Sequence, residues 1–146
     1  MTPAELDNLA HMRRARDFMD REFASAICVE DIARRALMSA AHFSRLFRAA
    51  YGETPYTYLM TRRVERAKAL LRAGEMSVTD VCMAVGFSSL GTFSTRFTQI
   101  VGESPRTYAR RDHEALASLS SCVARHATRP RRQGSRIEEV RLFAAP

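Results

Sequence analysis

Arginine is the residue type with most chemistry to offer in this sequence: 22 of its 23 basic side chains are Arg, and Lys68 is the single Lys. A guanidinium presents a planar fork of N–H donors that matches a phosphate group, or the O6 and N7 atoms of guanine, with two bonds at once. The same excess is what the codon bias of a G·C-rich genome leaves behind. Other reactive types are scattered. Cys28, Cys82 and Cys122 are odd in number and far apart, and His11, His42, His113 and His126 have no zinc-finger spacing, so neither a disulfide framework nor a structural metal is expected. No Gly-rich phosphate loop, H-E-x-x-H or G-x-S-x-G occurs, which argues against an enzyme, and no cofactor is implied.

Any such arginine needs a scaffold, and the sequence builds one twice. HFSRLFRAAYGETPYTY from His42 aligns at an offset of 50 with TFSTRFTQIVGESPRTY from Thr92, pairing Phe43/Phe93, Ser44/Ser94, Phe47/Phe97, Gly52/Gly102, Glu53/Glu103, Pro55/Pro105 and Tyr58/Tyr108. Upstream, VEDIARRALMS from Val29 aligns with VTDVCMAVGFS from Val78 at an offset of 49, pairing Asp31/Asp80 and Ser39/Ser88. The second copy therefore has one extra residue just after Ser88.

Each copy reads as a short helix, a tight turn and a second helix. Val78, Val81, Cys82 and Val85 fall at i, i+3, i+4 and i+7, the apolar stripe of a short helix that Gly86 ends. Phe43, Leu46 and Phe47, and then Phe93 and Phe97, form the inner faces of the second helices, with Gly52 and Gly102 as their stops. Ser77-x-x-Asp80 has capping-box spacing, whereas copy one offers Cys28, a far weaker acceptor, and should start less firmly. Thr54-Pro55 and Ser104-Pro105 begin two more helices, a hydroxyl cap followed by proline where its missing N–H costs nothing. The first of these runs through Tyr58, Leu59, Val64, Ala67, Leu70 and Leu71 to Gly74, about 18 residues, as a linker. A helix from about Glu5 to Phe23, with Leu9, Met12, Phe18, Met19 and Phe23 inward, precedes copy one.

The expectation is an all-α fold of about seven helices: helix-turn-helix subdomains at about 29–51 and 78–101, joined by a linker helix at about 55–73. Residues 113–146, which include TRPRRQGSR, read as a basic, flexible tail. The length of 146 residues favours one compact unit and leaves little room for a separate ligand-sensing domain. Lys+Arg 23 against Asp+Glu 16, a net charge of +7, argues for an anionic partner such as nucleic acid or a membrane surface. No apolar run approaches the roughly 20 residues that span a bilayer, so membrane insertion is not expected. MTPAELDNLAHMRR has no secretory signal pattern, which makes the cytoplasm the expected location.

In a helix-turn-helix the first helix crosses the phosphate backbone and the second enters the major groove. The run HFSRLFRAAYGETPYTYLMTRRVERAKALL, followed by VTDVCMAVGFSSLGTFSTRFTQIVGESPRTYAR, resembles the DNA-binding domain of the AraC/XylS transcriptional regulators over about residues 12–112. Its most specific portion is G-F-S-S-x-x-x-F-x-x-x-F-x-x-x-x-G-x-S-P-x-x-Y, from Gly86 to Tyr108. The resemblance implies a regulator that binds double-stranded DNA as a monomer. It also implies recognition helices in successive major grooves of a non-palindromic site, and activation by touching RNA polymerase. The sequence departs from the family pattern at Leu37, a turn position where Gly is common, and at Cys28, where Ser is common.

Opposite Phe43 and Phe47, Ala41, Ser44 and Arg45 are the candidates for base reading in copy one. Arg45 is the strongest, through guanine, while Ala41 offers only apolar contact with a thymine methyl. Their counterparts Gly91, Thr92, Ser94 and Thr95 are short and read base edges poorly. Ser39, His42, Arg48, Ser89, Arg96 and Thr98 are candidates for phosphate contact.

Plainer readings compete with each of these. Arg45 could be an ordinary solvated arginine, and Cys82 fits a core position. Cys28, at a helix N-terminus, could have a lowered pKa and sense redox state. The four phenylalanines could stack on single-stranded bases, although their helical spacing fits a buried face better. Arg125, Arg129, Arg131, Arg132, Arg136 and Arg141 could touch phosphate or belong to a solvated end. The rival to the whole reading is a protein-interaction module of the same fold, acting on a partner regulator or RNA polymerase without operator specificity.

Overall fold

Thr2 starts the first helix reciprocally: its Oγ1 accepts from Glu5 N–H at 3.2 Å while its own N–H donates to Glu5 Oε2 at 2.6 Å. The computed structural model describes residues 1–111; the basic tail expected at 113–146 lies outside the described residues. Among those described there are seven helices and no strand: α1 (Pro3–Glu22), α2 (Val29–Arg35), α3 (Ala40–Tyr51), α4 (Pro55–Ala73), α5 (Val78–Ala84), α6 (Leu90–Val101) and α7 (Pro105–Ala109). They group into two units where length favoured one. The first comprises Met1–Phe23 with Ile27–Leu59, the second Ala24–Ala26 with 60–111. Each has its own apolar centre around one repeat.

In the first unit Met12, Met19, Ile32, Phe43 and Phe47 are almost completely buried. Phe47 meets Phe43, Tyr51 and Tyr58 at ring-centroid distances of 5.8, 4.8 and 5.7 Å. At such spacing tilted and edge-on rings add attraction beyond the area they bury. Tyr58 Oη donates to Asp20 Oδ1 at 2.7 Å, tying α4's first turns to α1. The Arg16 guanidinium lies 4.6 Å from the Tyr51 ring centre, and that of Arg35 lies 4.2 Å from Phe18. Leu9, Phe18 and Phe23, expected inside, are only half-buried, and Ala15 is buried beside Met12 and Met19. Guanidinium cover explains Phe18: one ring face serves a cation and leaves an edge in water.

The second unit repeats this aromatic design with Phe87–Phe93, Phe93–Phe97 and Phe97–Tyr108 at 5.2, 5.7 and 5.5 Å. Val64, Ala67, Val81, Cys82 and Val85 are fully buried, and burial pushes the Cys82 thiol pKa up, as befits a core residue. Arg72 donates to Tyr108 Oη at 3.0 Å. The polar content of α4 is larger than its apolar stripe suggests, for Thr61, Arg63, Glu65 and Lys68 are buried. Arg63 donates to the Ser25 carbonyl at 3.1 Å and lies 5.8 Å from the Phe87 ring centre. Arg62 pairs with Glu65 at 2.6 Å. Burial, reinforced by the charge of Arg72 and opposed by Glu65, lowers the Lys68 pKa from 10.5 to about 8.

Candidate nucleic-acid interface

The two repeats make the same turn with different residues. After α2, Leu37 N–H donates to the Arg34 carbonyl and Met38 N–H to that of Ala33. After α5, Gly86 N–H donates to the Met83 carbonyl and Phe87 N–H to that of Cys82. This bonding demands a left-handed residue, supplied by Gly86 at φ 98° and Leu37 at φ 56°. A side chain in that conformation costs roughly 1–2 kcal/mol, and Leu37 is in addition 94% exposed. Beyond the turn, Ser39 Oγ accepts from His42 N–H at 3.2 Å and Ser89 Oγ from Thr92 N–H at 3.3 Å. The N-cap of α6 is thus Ser89, so Ser39/Ser89 replaces the pairing Ser39/Ser88, and the extra residue sits in the second turn.

The starts of α2 and α5 differ as their caps require. Ser77 Oγ accepts from Asp80 N–H at 3.1 Å. In the first copy the carboxylate works instead: Asp31 Oδ2 accepts from Cys28 N–H at 3.2 Å and from Cys28 Sγ at 3.0 Å. That thiol bond raises the Cys28 pKa and lowers that of Asp31. The lowered thiol pKa that a redox role would need is contradicted, because the adjacent carboxylate disfavours the thiolate.

Phe43 and Phe47 turn α3 so that Ala41, His42, Arg45 and Arg48 are exposed and Ser44 is half-buried; Ser39 is exposed at its cap. The side chains of Arg45 and Arg48 make no hydrogen bond or ion pair among the described residues. Phe93 and Phe97 orient α6 likewise, exposing Gly91, Thr92, Thr95 and Thr98, with Ser89 exposed at the cap and Ser94 and Arg96 half-buried. Its polar groups are partly committed: Arg96 donates to Gln99 Oε1 at 3.0 Å and Thr98 Oγ1 to the Ser94 carbonyl at 2.8 Å. Position for position, Arg45 and Arg48 of α3 are matched by Thr95 and Thr98 of α6. A β-carbon on Gly91 would meet only Ser89 Oγ, at an ordinary 3.7 Å, so the absence of a side chain there is not forced by crowding.

Of the thirteen expected candidates, seven for base reading and six for phosphate contact, ten are exposed and Ser44, Ser94 and Arg96 are half-buried. Sequence reasoning missed the buried cations Arg63 and Lys68, because nothing in the spacing of α4 separates a buried cation from a solvated one. It also passed over Phe87, whose place beside Gly86 in the G-F-S-S run was the available signal. No helix among the described residues is long and apolar enough to cross a membrane.

A family model described as a helix-turn-helix domain matches residues 32–111. The HTH-type transcriptional activator RhaS of Citrobacter koseri is 33% identical over 110 residues, 75% of this chain and 39% of that protein. The chain spans between 34% and 50% of the length of the curated relatives it matches. The DNA-binding domain of AdpA, a global transcriptional factor solved in complex with a target DNA, superposes with a TM-score of 0.67 at 29% identity, covering 74% of this chain and 97% of that one. A transcriptional regulator of the AraC-type DNA-binding class from Chromobacterium violaceum has a TM-score of 0.61 at 27% identity, covering 69% of this chain and 90% of that one.

Proposed function

Since the chain belongs to the AraC/XylS-type helix-turn-helix family of regulator DNA-binding domains, we propose that it is a sequence-specific regulator reading double-stranded DNA through α3 and α6. The family's domains are DNA-binding rather than enzymatic. In this reading the two recognition helices enter successive major grooves, about one helical turn apart, on a non-palindromic site bound by one chain. Contact with RNA polymerase is part of the same proposal.

Ala41, Ser44, Arg45, Gly91, Thr92, Ser94 and Thr95 are the proposed base-reading set. Ser39, His42, Arg48, Ser89, Arg96 and Thr98 are the proposed phosphate-contacting set. The observation that carries the reading is the outward face of α3, where Arg45 and Arg48 are exposed and uncommitted beside a capped helix start. A buried or ion-paired arginine would have to break existing bonds to reach a base; these two do not.

The short side chains of α6 favour the second reading, an interaction module of the same fold acting on a partner regulator or on RNA polymerase. Selection from a random pool of duplexes separates the two. A regulator enriches one motif of about 20 base pairs, two turns of duplex. Enrichment of no motif favours the interaction module.

A further inference from the structure

The excess positive charge is not shared evenly between the two units. Residues 60–111 contain nine Lys and Arg against four Asp and Glu, whereas Met1–Phe23 with Ile27–Leu59 holds eight of each. The unit with the poorer reading helix is therefore the basic one.

Most of its cations are occupied. Arg62 pairs with Glu65, Arg63 donates to the Ser25 carbonyl, Arg72 to Tyr108 Oη and Arg96 to Gln99, Arg111 is 3.1 Å from Glu103 Oε1, and Lys68 is buried. Arg66, Arg106 and Arg110 are exposed, and their side chains have no hydrogen bond or ion pair among the described residues. Arg106 and Arg110 stand four residues apart on α7 and its C-cap, which keeps helical φ and ψ. Residues so spaced are neighbours on a helix surface, about 5–6 Å apart at Cβ. Each lies two positions from Tyr108, hence on the side of the helix opposite that buried ring. Tyr108 in turn is anchored by Phe97 of α6 and by Arg72 of α4. A pair of solvent-facing guanidinium groups on a helix anchored through Tyr108, with no carboxylate partner among the described residues, fits successive phosphate oxygens and does not by itself read a base.

We infer that Arg106 and Arg110 form a sequence-blind phosphate clamp through which the second unit holds DNA, leaving most of the discrimination to α3. The inference rests on the proposed DNA-binding function and adds to it a division of labour and two residues outside both recognition helices.

The test compares affinity as a function of salt for the wild-type chain, an Arg106→Gln/Arg110→Gln double variant, an Arg106→Lys/Arg110→Lys double variant and Arg45→Ala. The probes are a duplex selected by the wild-type chain and a scrambled duplex of the same composition. Each phosphate contact contributes about 0.9 to the slope of log affinity against log salt, so the Gln pair should flatten that slope by about 1.8. It should weaken both duplexes by the same factor, leaving their affinity ratio unchanged, and the Lys pair should retain most of the slope. Arg45→Ala should instead shrink the ratio, by roughly 5- to 150-fold. A Gln pair that keeps the wild-type slope, or that loses the ratio as Arg45→Ala does, overturns the clamp while DNA binding stands. A wild-type chain that binds neither duplex overturns the clamp and the proposed function together.

Discussion

Phe43 and Phe47 of α3 are buried as completely as Phe93 and Phe97 of α6, yet what these helices show to water diverges: Arg45 and Arg48 on one, Thr95 and Thr98 on the other. The left-handed turn residue diverges too, Leu37 against Gly86, and so does the cap, Cys28 against Ser77. Positions that pack have been held in register across the repeat, and positions that meet solvent have drifted apart. Packing tolerates little change in volume, whereas an outward side chain is limited only by what it touches.

The strongest way to break this equivalence is to remove one ring from each core. Phe47→Ala and Phe97→Ala should each cost roughly 3–5 kcal/mol in chemical denaturation, because both rings are fully buried among aromatic neighbours. A cost below about 1 kcal/mol for either would show that the two cores are not built alike.

The next contrast is electrostatic and belongs to the second unit. Below pH 8 Lys68 is charged in both folded and unfolded chains, and burial penalises the folded one. Between about pH 8 and 10.5 the folded chain sheds this proton while the unfolded chain keeps it. Stability should therefore rise with pH across that window, by about 3 kcal/mol at most. Lys68→Met should flatten the rise, and a rise that persists in the variant would assign it to another group.

Exchanging turn residues gives a smaller effect. Leu37→Gly should stabilise the first unit by about 1 kcal/mol, and Gly86→Ala should destabilise the second by about 1–2 kcal/mol, read as shifts in denaturation midpoint. Equal signs for the two would mean that φ at these positions is not what distinguishes them. Smallest is Cys28→Ser, expected to add a few tenths to about 1 kcal/mol by giving α2 a hydroxyl acceptor. An unchanged or lower melting temperature would show that the Asp31 bonds already satisfy that helix start.

Much of the fold was legible because its punctuation is chemical. Gly52 and Gly102 close α3 and α6 in left-handed conformation, and Pro55 and Pro105 open α4 and α7, as their residue types require. The outward candidates were legible for the same reason: once Phe43 and Phe47 are inside, helical geometry leaves Arg45 outside. The interior of α4 was not, since Arg63 is held inside by Ser25 and Phe87, distant residues that no local period records, and nothing in the spacing marks Lys68 as buried. Nor was the N-cap of α6, where adjacent Ser88 and Ser89 offer the same hydroxyl and only backbone geometry selects Ser89. Arg106 of α7 and Arg110 at its C-cap, the proposed phosphate clamp, went unread because what sets them apart is that the other cations of the unit are already engaged.

That the outward face of α3 holds most of the reading capacity is tested most directly by an affinity profile. Every single-base change in the selected duplex would be measured with the wild-type chain and with Arg45→Ala. The account predicts discrimination concentrated in one half of the site, with one or two guanine positions losing roughly 1–3 kcal/mol of preference in the variant. A profile spread evenly over both halves, or a variant that weakens every duplex by the same factor, would contradict it.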